Sequence, residues 1–316
     1  MSGTLVILCL AAFAVVATLT SAALAVALPW IDCVFSRLRG AKQVRAWLGV
    51  AVLPAVLGTT VLVSALLPSM GLGVDHCLAH EPHHPHLCAQ HALVFPGSVL
   101  IVIAALVALQ SALAVASFAR AAFLGWMTCR TLTQGSEHMD DVLAFRSAEP
   151  HAFVLGIVAP TVHASTGLLA LAPALRAPVL AHERAHAEAR DPLWRAIFPL
   201  LALGHLPMVS GAIARRLITA QEMAADTKAA KTVGSRLHVA DALVTLARLH
   251  SQPCPGLSFT HGDVGARVRA LLQEPAVPSR WIGRSLLGVS GAIVCAISLF
   301  PEPVHHAVET VLGILS

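Results

Sequence analysis

Residues 182–186 read His-Glu-Arg-Ala-His. On a helix, positions four apart project from one face, one turn apart. His182 and His186 can therefore offer two imidazoles to a single Zn²⁺. Glu183 stands beside the first of them and is placed to act as a general base toward an attacking water, so the HExxH pattern is a mechanism as well as a string. Ala181, Ala185, Ala187 and Ala189 favour a helix here, and Asp191-Pro192 marks a break. A catalytic zinc needs a third protein ligand. Position 192, where a metzincin would carry His, is Pro192, and Asp191 falls one residue early. The run Gln221-Glu222-Met223-Ala224-Ala225-Asp226 supplies another route. Glu222 can ligate the metal, and Asp226, on the same helical face, can hydrogen-bond the distal nitrogen of a ligand His and fix its tautomer. The bland alternative for both runs is a solvated helix face; the two together favour the metal site.

A second group of ligating residue types occupies 76–91, HCLAHEPHHPHLCAQH. Pro82 and Pro85 keep it irregular. Two readings stand level. Cys77 and Cys88 close a disulfide over a polar cap, or these cysteines with His76, His80, His83, His84, His86 and His91 bind a second metal such as Cu⁺ or Zn²⁺. A metal-sensing role for this loop follows only from the second. The other cysteines show no ligand spacing and read as small apolar residues.

The elements that must position these residues are set by an apolar chain. Of 316 residues 56% are hydrophobic and 12% charged, mean hydropathy is +0.74 and no Tyr occurs. A soluble globule carries about twice that charge, and disorder is excluded by the apolar content. Uncharged runs at Leu5–Leu28, Trp47–Val74 and Ala92–Ala119 are each long enough to span about 30 Å of hydrocarbon as a helix, and Ser285–Phe300 reads as a shorter fourth span. Arg37, Arg39, Lys42 and Arg45 sit in the first loop, and every other Lys or Arg lies between Arg120 and Arg284. By the positive-inside rule both basic segments face the cytoplasm, leaving the N-terminus, the 71–91 loop and the C-terminal tail outside.

Two further apolar stretches need another reading. Phe153–Leu175 contains Gly156, Pro160 and Gly167 among β-branched residues, which favours a strand, a turn and a return. Ala196–Ala214 contains Pro199, Gly204, His205 and Pro207. It cannot cross the membrane once, because that would separate His182 and His186 from Glu222; it dips in and returns, lies on the surface, or packs inside the domain. His205, Arg215 and Arg216 are candidate oxyanion donors, with a packed residue in an apolar helix as the alternative for His205. His138, His151, His163, His238, His250 and His261 read as ordinary surface or loop residues.

Val179-Leu-Ala-His-Glu-Arg-Ala-His, followed by Arg190-Asp191-Pro192-Leu193, resembles the BlaR/MecR-type antirepressor membrane zinc metallopeptidases. Glu222 to Asp226 is similar to that family's second motif. Ala266-Arg-Val-Arg-Ala-Leu-Leu272 resembles the segment closing its cytosolic domain, and Phe153-Val-Leu-Gly156 its strand ahead of the zinc helix. The resemblance implies an HtpX-like gluzincin fold, with one catalytic Zn²⁺ held by two His and one Glu, and cytosolic proteolysis linked to cleavage of a transcriptional repressor. Members that sense β-lactams carry an external penicillin-binding domain after the last span. Here Glu302 to Ser316 follow it, and no Ser-x-x-Lys occurs, so β-lactam acylation is not expected.

The expected protein is a mainly α membrane protein: four transmembrane helices with a cytosolic α+β gluzincin domain containing a small antiparallel sheet. Residues 1–119 hold three spans and the external loop, 120–280 the peptidase domain, and 281–316 the fourth span and a short external tail. It sits in a bacterial-type inner membrane and cleaves a protein or peptide, a winged-helix repressor or itself among them. The alternatives are an HtpX-like quality-control protease and a non-catalytic metal sensor. No nucleic-acid site is evident, and the cytosolic arginines suit inner-leaflet phospholipid.

Overall fold

The computed structural model describes residues 3–67, 97–139, 141–249, 264–273, 291–292 and 295–315. The His/Cys-rich segment 76–91, with both of its readings, lies outside them, as do His250 and His261.

Helices α1 (Gly3–Phe35), α2 (Ala41–Leu66) and α3 (Ser98–Thr133) are, among the described residues, the three long and apolar enough to cross a membrane. Leu106, Leu109 and Leu113 on α3 are exposed, as side chains facing lipid would be. Half of the expected fourth span, 285–300, lies outside the described residues; within it 291–292 and 295–299 are helical. The expected external tail is helix α10 (Pro301–Leu315). Its Val308 and Leu312 pack with Leu5 and Leu8 of α1, Ala65 of α2 and Leu100 of α3. Its buried His305 donates from Nδ1 to the Ala65 carbonyl at 2.6 Å.

Four short strands follow α3: β1 (Glu137–Met139), β2 (Val142–Phe145), β3 (Ala152–Leu155) and β4 (Thr161–Ser165). The stretch 153–175 is thus a strand, a turn at Gly156 (φ 95°), a returning strand and the one-turn helix α4 (Thr166–Leu169). The expectation of an antiparallel sheet is corrected. The order is β1-β2-β4-β3, with β2 and β4 parallel. The reason is that β3 returns one strand-width out from β2, and the β3–β4 hairpin folds β4 back into the slot between them, so β4 inherits the direction of β2. This leaves β3 at an edge. His163 is also corrected: it is fully buried in β4, stacked on the Phe153 ring at 5.7 Å.

Helix α5 (Pro173–Ala189) crosses the sheet, burying Val179 and Leu180 against Val142, Val162 and Ala164. Arg190 ends it in the left-handed region (φ 55°), and the chain restarts at once as α6 (Asp191–Leu201). Helices α7 (Pro207–Val233), α8 (Arg236–Leu249) and α9 (Val264–Leu272) complete the same core through Ala229, Leu243, Leu246 and Leu271.

The stretch 196–214 is a helical hairpin whose tip enters the helix bundle. Gly204 (φ 86°) makes the turn, and a Cβ there would stand 2.7 Å from that of Ala17, in the middle of α1. Buried His205 donates from Nε2 to the Val50 carbonyl and takes a hydrogen bond on Nδ1 from Ser21 Oγ, both at 3.2 Å. Ser21 Oγ accepts in turn from the Leu206 N–H at 2.9 Å, and Gln110 Nε2 donates to the His205 carbonyl at 2.9 Å. Ser21 of α1 and Gln110 of α3 therefore satisfy this non-helical backbone, the condition under which it is tolerated at membrane depth, while Val50 of α2 takes the imidazole proton.

Candidate metal centre

Two helices converge on one point. α5 presents His182 and His186 from adjacent turns, and α7 presents Glu222 across from them; all three are buried. The His182 and His186 Nε2 atoms are 3.0 Å apart. Glu222 Oε2 lies 3.4 Å from the first and Oε1 3.5 Å from the second. A tetrahedral ion with bonds of about 2.05 Å has ligand–ligand edges of about 3.3 Å, so the spacing of this donor set fits zinc. The chemistry fits as well. Each imidazole turns its Nδ1 to a buried carboxylate: His182 to Asp226 at 2.9 Å and His186 to Asp191 at 2.6 Å. A proton held on each Nδ1 leaves the Nε2 lone pairs aimed at the shared point.

The electrostatics favour positive charge there. Burial alone would lower both imidazoles, yet Asp226 and Glu222 raise His182, and Asp191 and Glu222 push His186 up to about 9. Burial would likewise raise Glu222, but the two imidazoles hold it well below the usual carboxylate range. Glu183 differs: burial dominates and raises it, which suits a group that must both accept and return a proton. His182, Glu183, His186, Glu222 and Asp191 line one cleft of about 310 Å³ whose opposite wall is β3, Ala152 to Leu155.

Three participants escaped the sequence reading. Asp191, read as a helix break, is buried because the left-handed turn at Arg190 folds α6 back over α5. Arg195, one turn further on the same face of α6, donates from Nη2 to Glu222 Oε1 at 2.9 Å and from Nε to Gln221 Oε1 at 2.8 Å. Arg267 of α9 is 2% exposed and grips Asp226 with two hydrogen bonds of 2.7 and 2.6 Å, with Nη1 3.3 Å from Glu222 Oε2. The Asp191–Arg195 spacing of four carried a usable signal; Arg267, forty-one residues from Asp226, carried none beyond the resemblance of its segment. The candidate oxyanion donors lie elsewhere. His205 is inside the bundle, Arg215 is exposed on α7, and Arg216 pairs with Asp32 at 2.6 Å beside Trp47.

Residues 132–275 match the model of Peptidase family M48. The matched segment holds the sheet, the HExxH helix, Glu222, Asp226 and Arg267, so the M48 match and the ligand cluster fall on the same part of the chain. Comparison with curated proteins and with solved structures returned no match. M48 peptidases are zinc-dependent hydrolases. The M48 match over this segment, beside three membrane-length apolar helices, points to a membrane-associated metallopeptidase.

Proposed function

We propose that the protein is a zinc-dependent endopeptidase that hydrolyses peptide bonds at the cytosolic face of a bacterial inner membrane. The observation that carries the reading is the convergence of His182, His186 and Glu222, with buried Glu183 beside them, in a cleft walled by an edge strand. His182, His186 and Glu222 would hold the ion, with Asp226 and Asp191 fixing the imidazoles. Bound there, Zn²⁺ supplies a Lewis acid that activates water and polarises a carbonyl. Glu183 accepts the proton of the attacking water and returns it to the leaving amine. The free edge of β3 binds an extended substrate by strand addition and sets its register.

Residues 120–280 act as the peptidase domain, with 1–119 and 281–316 as its membrane part. The basic first loop and the basic stretch from Arg120 to Arg284 favour a cytosolic active site, with both termini outside. The resemblance of the zinc helix to antirepressor peptidases supports a regulatory role, cleavage of a winged-helix repressor. Broad quality-control proteolysis is the alternative with the same chemistry.

The test is Glu183→Gln in the full chain, purified in detergent with zinc. Casein cleavage falls about 10²–10⁴-fold while one zinc per chain remains. Undiminished cleavage at full zinc removes the assignment. Mapping cut sites in co-expressed candidate repressors separates the regulatory role from the housekeeping one.

A further inference from the structure

We infer that Arg195 is a catalytic residue of this peptidase, the guanidinium that takes up the negative charge developing on the scissile carbonyl oxygen. This rests on the endopeptidase reading above and names a group that reading lacks. Hydrolysis of an amide needs a donor at that oxygen besides the metal, and such donors are worth most when fixed in advance. The chain has no Tyr. Among the side chains lining the described cleft, the rest are apolar, carboxylate or the two imidazoles, whose Nδ1 atoms face Asp226 and Asp191. Arg195 alone is a donor not required as a metal ligand.

Its head group is also held. Gln221 Oε1 takes the Nε proton, Glu222 Oε1 takes one from Nη2, and Nη1 makes no hydrogen bond among the described residues. Gln221 is fully buried, which fixes that anchor, while the Arg195 side chain is 31% exposed on the cleft side. Asp191 and Arg195 share one face of α6, so the helix that orients His186 also delivers the guanidinium. In the reaction, the carbonyl π pair moves onto oxygen as the water oxygen bonds to carbon. Arg195 donates N–H to that oxygen without losing its proton. As the C=O re-forms, the C–N bond breaks and the amine leaves with the proton carried by Glu183.

The experiment uses the zinc-loaded full chain in micelles and a quenched fluorogenic peptide built on the casein bond that the wild type cuts. Arg195→Met lowers kcat about 10²–10³-fold with KM within about threefold and zinc content unchanged. A phosphinic analogue of the same peptide, which mimics the charged oxygen, loses affinity by the factor lost in kcat/KM. Added guanidinium restores part of the activity of Arg195→Ala, and Arg195→Lys retains more than Arg195→Met. A kcat for Arg195→Met within about tenfold of wild type, or zinc loss that accounts for the whole defect, overturns the inference and reduces Arg195 to a prop for Glu222. Absence of cleavage by zinc-loaded wild type overturns the endopeptidase reading and this inference together. Cleavage by wild type with an indifferent Arg195→Met overturns this one alone.

Discussion

His182 and His186 each spend one nitrogen on a carboxylate supplied by a different helix, and this division of labour makes the carboxylates testable apart from the ligands. Asp226→Asn or Asp191→Asn leaves the three ligand atoms in place but weakens the bond that holds the Nδ1 proton. Each substitution lowers zinc affinity about 10–100-fold, measured by competition with a chromophoric chelator; unchanged affinity would remove the orienting role. Arg267 poses a different case. It is buried against Asp226 and Glu222, and burial alone would lower it, but Asp226 holds it above its ordinary value. Arg267→Met leaves a buried carboxylate without its cation, costing about 3–5 kcal/mol in chemical denaturation. Adding Asp226→Asn to that variant removes the stranded charge and recovers part of the loss. A double variant no more stable than Arg267→Met argues against an electrostatic cause.

Elements connect these residues to the membrane, and α6 and α7 do most of it. Their shared turn is pinned by Ser21, Val50 and Gln110, while their far portions carry Asp191, Arg195, Glu222 and Asp226. Ser21→Ala leaves the Leu206 N–H and the His205 ring nitrogen without their partner, costing about 1–3 kcal/mol and lowering the melting temperature in micelles. A melting curve identical to wild type would show that this turn is not a seat. How far the elements could be read from sequence follows from how local their causes are. The i, i+4 pair His182–His186 and the Glu222–Asp226 pair are helical spacings, visible without coordinates. The β3–β4 return was legible because Gly156 and Pro160 punctuate β-branched residues. The direction of β4 was not, since parallel pairing with β2 depends on which slot the hairpin fills. At 196–214 the sequence limited the options through a ligand-distance argument, but the choice was made by polar groups on three other helices, the Ser21 and Gln110 side chains and the Val50 carbonyl. Asp191 was hidden by a left-handed Arg190, a conformation for which no glycine gave warning.

On the scale of the whole molecule, α7 joins the helix bundle to the metal centre. Val209, Ile213 and Leu217 pack against Leu28, Trp47 and Val50, and Arg216 meets Asp32 near the ends of α1 and α2. Glu222 follows about 9 Å further along the axis, at a rise of ~1.5 Å per residue. Zinc would draw together α5 and α7 directly, α6 through Asp191 and Arg195, and α9 through Arg267. An ion that binds only the folded protein stabilises it by about 4 kcal/mol at a thousandfold excess over its dissociation constant, which corresponds to a melting shift on the order of 10 °C. Because α7 belongs to both cores, the shift should appear in the unfolding of the bundle as well as of the sheet. Removing zinc by chelation from the wild type should therefore lower a single transition in micelles, and readdition should restore it. His186→Ala should melt at one temperature with or without zinc. Single-Trp variants in which fluorescence from Trp47, packed beside α7, reports a melting temperature indifferent to zinc while that from Trp194 on α6 responds would mean that the two cores unfold separately and α7 does not couple them.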